Sequence, residues 1–143
     1  MDKEVVLTIL GAHRDEDADN GSVETVAEGE YFLRGGAHYV LFEEDSDHEN
    51  LKSRIKIKGK TVELVRQGSI GTHMIFEENK KHVTSYQTSY GQMCLGINTG
   101  LVQIEEGEES IRAVVEYVLE ADEQYLSHSR IEILIQNKKH RTE

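Results

Sequence analysis

The chain is 143 residues long with a formal net charge of −11, a length suited to one domain and one core. An acidic whole is repelled by phosphate backbones and anionic membranes, which argues against nucleic acid and membrane surfaces as partners. The single cysteine, Cys94, excludes an internal disulfide, and no apolar run approaches a membrane span of roughly 18 residues. The opening Met1-Asp2-Lys3-Glu4 lacks the basic-then-apolar order of a signal peptide, so the cytoplasm is the expected compartment.

Val and Ile together number 23, against 6 Ala. Their branched side chains are stiff at χ1 and suit a pleated surface, which favours sheet over helix. Proline is absent, as suits long, continuously paired strands. The charge is uneven: residues 1–50 hold 3 basic and 14 acidic side chains, whereas residues 51–100 hold 8 and 3.

Taken in chain order, period-two alternation recurs throughout. Strands are predicted at Glu4–Leu10 and at Val23–Arg34, where Val23, Thr25, Ala27, Gly29, Tyr31 and Leu33 share a face. Gly35-Gly36 turns the chain into Tyr39–Glu44. In Leu51–Lys58, Leu51, Ser53, Ile55 and Ile57 oppose Lys52, Arg54, Lys56 and Lys58. After Gly59-Lys60 come Thr61–Gln67, Thr72–Phe76, His82–Gln87, Gln92–Asn98 and Leu101–Glu105, then a final strand around Ile131, Ile133 and Ile135. In Ser110–Asp122, Ile111, Val114, Val115, Val118 and Leu119 fit a helical stripe. Ile111, Ala113, Val115, Tyr117, Leu119 and Ala121 fit one face of a strand equally well, and three valines and a tyrosine favour the strand.

Nearly every join is short and rich in Gly, Asn, Asp or Ser, leaving no room for parallel crossovers. The fold expected is therefore an all-β antiparallel meander, closed into a barrel of about 8–10 strands because a long sheet tends to curl and remove its edges. A two-sheet sandwich is the alternative. One domain over 1–143 is expected, with an ordered core at about 4–136 and a short polar tail.

Tyr86-Gln87-Thr88-Ser89-Tyr90-Gly91, followed by Met93-Cys94-Leu95-Gly96-Ile97-Asn98-Thr99, resembles the Y-x-T-x-Y-G…T core of the YwiB-like proteins. Glu28–Tyr31, Tyr39–Glu44, Arg66-Gln67-Gly68 and Tyr117-Val118-Leu119 sit in the matching order, so the likeness covers roughly Glu4 to Ile135. That bacterial family is uncharacterised, and its fold is similar to the calycin (lipocalin-like) barrels. The resemblance therefore implies strand at Ser110–Asp122 and barrel over sandwich, but no reaction and no ligand.

Arg66 is the most informative single residue. Its phase with Val62 and Leu64 places a guanidinium on the apolar face of its strand, where it needs carboxylates, carbonyls, hydroxyls or water. It serves there either as a hook for an anionic ligand or as half of an internal pair with Glu43 or Glu44, unless a bulge near Gln67-Gly68 turns it outward. Tyr39, Glu43, Tyr86 and Tyr117 are its candidate neighbours, and Tyr86, Thr88 and Tyr90 alternate hydroxyls along one face. These residues form the candidate ligand site.

Other motifs carry less. Asp15–Gly21 starts like a calcium loop, but its glycine comes one position late and Val26 stands where the bidentate glutamate belongs. Seven scattered histidines make no H-x-x-x-H pair, Gly68-Ser69-Ile70-Gly71 lacks the first glycine of a nucleophile elbow, and no phosphate-cradling loop occurs. No catalytic residue, metal or cofactor is assigned. The basic ladder Lys52, Arg54, Lys56, Lys58 and Lys60 reads as a solvent face that guards an edge. The expected function is a non-enzymatic barrel holding a small anionic or amphipathic molecule in its interior. A filled scaffold that works through its outer surface is the alternative, and an enzyme ranks below both.

Overall fold

The computed structural model describes residues 1–14, 19–46, 49–67, 72–88 and 91–138, without the side chains of 13–14, 19–22, 44–46, 49–51 and 86–88. Ten strands follow one another: β1 (Glu4–Arg14), β2 (Asp19–Arg34), β3 (Ala37–Ser46), β4 (Glu49–Lys58), β5 (Thr61–Gln67), β6 (Thr72–Glu77), β7 (Lys80–Thr88), β8 (Gly91–Glu106), β9 (Ser110–Ala121) and β10 (Gln124–Asn137). They form one antiparallel sheet in the order β6-β5-β4-β3-β2-β1-β10-β9-β8-β7. Its two end strands, β6 and β7, are consecutive in the chain, so the turn between them draws the sheet's edges together. That turn is tied to β8: Asn79 N donates to Thr99 O at 2.9 Å, and Val102 N to Glu78 Oε2 at 2.9 Å. The result is a nearly closed barrel, as the short joins require.

The alternation divides inside from outside. Val5 and Leu7 of β1, Val40 and Phe42 of β3, Ile55 and Ile57 of β4, Val62 and Leu64 of β5, and Ile133 and Ile135 of β10 all point into one core. In β9, Ile111, Ala113, Val115 and Tyr117 join them, so the ambiguous segment is a strand lying on its period-two face. The break expected between Gln92–Asn98 and Leu101–Glu105 is instead a bulge. Thr99 opposes Tyr117 and Leu101 opposes Glu116, with Gly100 as the extra residue. A glycine there bends β8 without ending it.

The two ends of the barrel differ. At one, Gly35 and Gly36 (φ 61° and 76°) make the tight β2–β3 turn, a conformation that costs glycine little. Beside this turn, Tyr31 Oη lies 2.7 Å from His38 Nδ1, and His38 Nε2 lies 2.6 Å from Glu106 Oε1. A carboxylate only accepts, so Nε2 carries a proton toward Glu106, and in the neutral imidazole Nδ1 accepts the phenol's. This chain ties the β2–β3 hairpin to the end of β8 across the floor of the barrel. Burial first, and then the Glu106 charge, hold the Tyr31 phenol above its ordinary range, so it stays a donor.

At the opposite end the wall parts. β2 and β3 pair from Gly29↔Phe42 to Arg34↔Ala37; beyond Gly29, β2 stays with β1 while β3 continues with β4. Val23, in phase with the inward Ala27 and Gly29, is accordingly 68% exposed. Gly29 marks the closest approach before the split. A Cβ there would meet Leu41 O and Val40 Cγ1 at 2.9 Å, whereas one at Gly11 meets nothing within 4 Å. Gly29→Ala should therefore cost about 1–3 kcal/mol, and Gly11→Ala should be neutral or stabilise by up to about 1 kcal/mol. Urea unfolding of both variants checks this, and equal midpoints would refute the close-approach argument.

Candidate functional site

Arg66 lies one residue from the end of β5, on the inward face that carries the buried Val62 and Leu64. Register places it between two small hydroxyl residues, Ser53 of β4 and Thr72 of β6. The three make one polar row across three strands, just where the apolar filling of the barrel gives out. From the facing wall, Tyr117 of β9 shares a hydrogen bond with Ser129, its register partner on β10, and feels the Arg66 charge. Ser127 and Thr99 are buried on the same inner surface.

The electrostatics of this group are mixed. Burial raises the Tyr117 phenol above its ordinary range, and the Ser129 hydrogen bond and the Arg66 charge partly offset that rise. Arg66 engages in polar contact within the protein. The hydroxyl oxygens of Ser53, Thr72 and Thr99 are buried and have no hydrogen-bond partner among the described residues. Buried polar groups are normally satisfied, so two such hydroxyls flanking an arginine are an uncommon concentration of unused capacity.

Of the residues singled out from sequence, the structure brings Arg66 and Tyr117 together. Tyr39 and Glu43 are corrections. The inward phase of β3 belongs to Val40 and Phe42, so Tyr39 projects outward to stack on Phe32 and Glu43 is exposed on the outer face. Neither is an interior partner of Arg66. Tyr86 and Thr88 lie in β7, opposite Met93 and Gly91. Their side chains, that of Glu44 and the whole of Tyr90 fall outside the described residues, as do Asp15–Ala18 of the calcium-like loop. Among the described residues no three His, Cys, Asp or Glu side chains gather as a metal site.

Sequence reasoning passed over Ser53, Thr72, Ser127 and Ser129. The signal was present, since Ser53 is in phase with Ile55 and Ile57, and Ser127 and Ser129 with Ile131.

Removing the arginine's charge tests the coupling across the barrel. In Arg66→Met the Tyr117 phenol should titrate still higher, because the cation that favours the phenolate is gone. Ultraviolet titration against Tyr117→Phe resolves that one group, and an unchanged curve would place Arg66 away from it. The sign for stability follows. Tyr117 keeps its proton in the fold above the pH at which the unfolded chain loses it, so its contribution is complete below about pH 10 and declines above it.

The fold and this polar row can be set beside known proteins. The chain is 23% identical over 116 residues to the "Uncharacterized beta-barrel protein YwiB" of Bacillus subtilis (strain 168), covering 80% of this chain and 82% of that one. The crystal structure of the ywiB protein from Bacillus subtilis superposes with a TM-score of 0.83 at 18% identity, over 94% of this chain and 92% of the other. At that identity the likeness shows the barrel and nothing of its use. The model of the family described as "Domain of unknown function (DUF1934)" matches residues 7–133, nearly the whole barrel, and the chain belongs to that family.

Proposed function

We propose that the protein is a non-enzymatic binding barrel that takes a small anionic molecule, of carboxylate or phosphate type, in the polar part of its interior. The observation that carries this reading is the row Ser53–Arg66–Thr72, in which two buried hydroxyls without partners among the described residues flank a fixed positive charge. A carboxylate or phosphate oxygen accepts from the guanidinium and from both hydroxyls at once, a charge-assisted arrangement stronger than neutral hydrogen bonds. The parting of β2 from β3, with Val23 bared on the inward face, supplies a mouth.

The size of the ligand follows from the filling. Side chains from β1, β3, β4, β5, β9 and β10 pack together through the rest of the interior, which suits a compact anion better than a long acyl chain. A calycin-like mode, with one closed floor and one open mouth, is part of this proposal, as is action in the cytosol. No helix among the described residues is long and apolar enough to cross a membrane.

Stability and binding should separate at Thr72. Thr72→Val removes a buried hydroxyl that has no partner among the described residues, so it should stabilise the free protein by about 1 kcal/mol. Phosphate or citrate near one hundred times its dissociation constant should stabilise the wild type by about 2.7 kcal/mol, and that increment should fall at least tenfold in binding constant in Thr72→Val and vanish in Arg66→Met. Differential scanning fluorimetry reads all three. A Thr72→Val variant that is clearly destabilised, or a wild type indifferent to every small carboxylate and phosphate tried, would defeat the reading.

Nucleic acid is not expected as a partner. The basic ladder of β4 lies beside Glu63 of β5, which pairs with Arg54 and His73, and beside Glu43 of β3. A fluorescent single strand should show no submicromolar binding at about 0.15 M salt. Tight binding that disappears on neutralising Arg54, Lys56 and Lys58 would contradict this.

A further inference from the structure

On the outer face of β2, β3 and β4 the side chains are sorted by strand. β2 presents Glu28 and Glu30, and β4 presents Lys52 and Arg54. Between them β3 carries Tyr39 and Leu41. Register aligns Glu30 with Leu41 and Arg54, and Phe32 with Tyr39 and Lys56. The Phe32 and Tyr39 rings stack at 4.9 Å and 9°, and Lys56 Nζ lies 5.7 Å above the Tyr39 ring. Phe32 and Leu41 remain 38% and 40% exposed. A cleft of about 690 Å³ opens on the same face, its lining including Glu28, Glu30, Leu41, Lys52 and Arg54. The face is thus a partly apolar strip with a negative margin on one side and a positive margin on the other, and at the paired positions Glu30 and Arg54 each margin lies about one strand spacing, 4.8 Å, from the centre.

We propose that this face binds a second copy of the chain, about a twofold axis parallel to β3. Isologous contacts need a self-complementary patch, and the sorting of charge selects the axis. Rotation about a line along β3 lays β2 of one protomer over β4 of its partner. Glu28 and Glu30 then meet the partner's Lys52 and Arg54, Phe32 meets the partner's Lys56, and Tyr39 and Leu41 meet their own counterparts. Rotation about a line across the strands would instead set acid on acid and base on base. Like-charge juxtaposition of that kind is costly, so the pattern decides between the two arrangements. Other groups shape the contact. Glu28 also pairs with Lys138 of its own chain at 3.1 Å, and Arg54 with Glu63 at 3.3 Å, so each margin is held in place within its own protomer. Glu43, on β3 beside Lys52, lies near the axis, where it meets its counterpart at the rim and weakens the contact. The net charge of −11 opposes self-association at long range. A micromolar dimer, not an obligate one, is the expected product. An RNA or an acidic protein would find the β2 margin repulsive, which is why a second copy is preferred as occupant.

Charge exchange tests the axis directly. Sedimentation equilibrium between about 5 and 500 μM spans weak contacts of this size, and the wild type should dimerise within it. Lys52→Glu/Arg54→Glu and Glu28→Lys/Glu30→Lys should each weaken the dimer at least tenfold, and their equimolar mixture should restore a heterodimer. A monomeric wild type over the whole range overturns the proposal, and so does a dimer that both variants keep. Should either variant lose the far-ultraviolet signature of the sheet, a second measurement decides. In a Cys94→Ser background, Leu41→Cys should form an interprotomer disulfide on mild oxidation, and Val83→Cys, exposed on β7, should not. Crosslinking at Val83 with none at Leu41 would also overturn the proposal.

Discussion

Everything in this molecule depends on period-two alternation in a sheet whose two edges are drawn together. In an open sheet a strand may slip or turn a face to solvent at modest cost; in a nearly closed barrel one residue of slip turns a whole set of isoleucines and valines outward. Each residue of β4 and β5 therefore has its side chosen for it by Ile55, Ile57, Val62 and Leu64. Arg66 is carried inside by that constraint. Its charge is unfavourable there on solvation grounds; Arg66 engages in polar contact within the protein, and the Tyr117 phenol opposite feels its charge.

The polar row has an energetic character of its own. A core optimised for stability would carry valine at position 72 and alanine at 53, since a buried hydroxyl without a partner costs free energy. Stability given up next to a mouth is the usual mark of a site shaped for something else. The closed end shows the opposite economy. There Tyr31, His38 and Glu106 are joined by hydrogen bonds across three strands.

Much of this was legible in the sequence, and the exceptions have physical causes. Leu51–Lys58 declares its two faces outright, and Thr61–Gln67 does so well enough to place Arg66 inward. The segment Tyr39-Val40-Leu41-Phe42 does not, because four apolar residues in a row fit either phase. The inward side went to Val40 and Phe42, and Tyr39 and Glu43 were thereby sent outward. In Ser110–Asp122 two periods coexist because Val114 is also covered, on the outer side of the sheet, at 3% exposure. The resemblance to YwiB-like proteins and the β-branched composition both pointed to the strand. The Gly100 bulge reads as a turn in sequence, because a single glycine between apolar runs gives the same local signal. The Tyr31–His38–Glu106 chain left no trace at all: His38 and Glu106 are 68 positions apart, and closure of the barrel alone brings them together.

The central claim is that the polar interior around Arg66 holds a small anion. Native mass spectrometry of the protein, purified gently at low ionic strength, addresses it most directly. The account expects a stoichiometric small acidic molecule on the wild type, released on collisional activation and absent from Arg66→Met prepared in the same way. A wild-type protein that carries nothing, or an adduct that Arg66→Met retains in full, would contradict it.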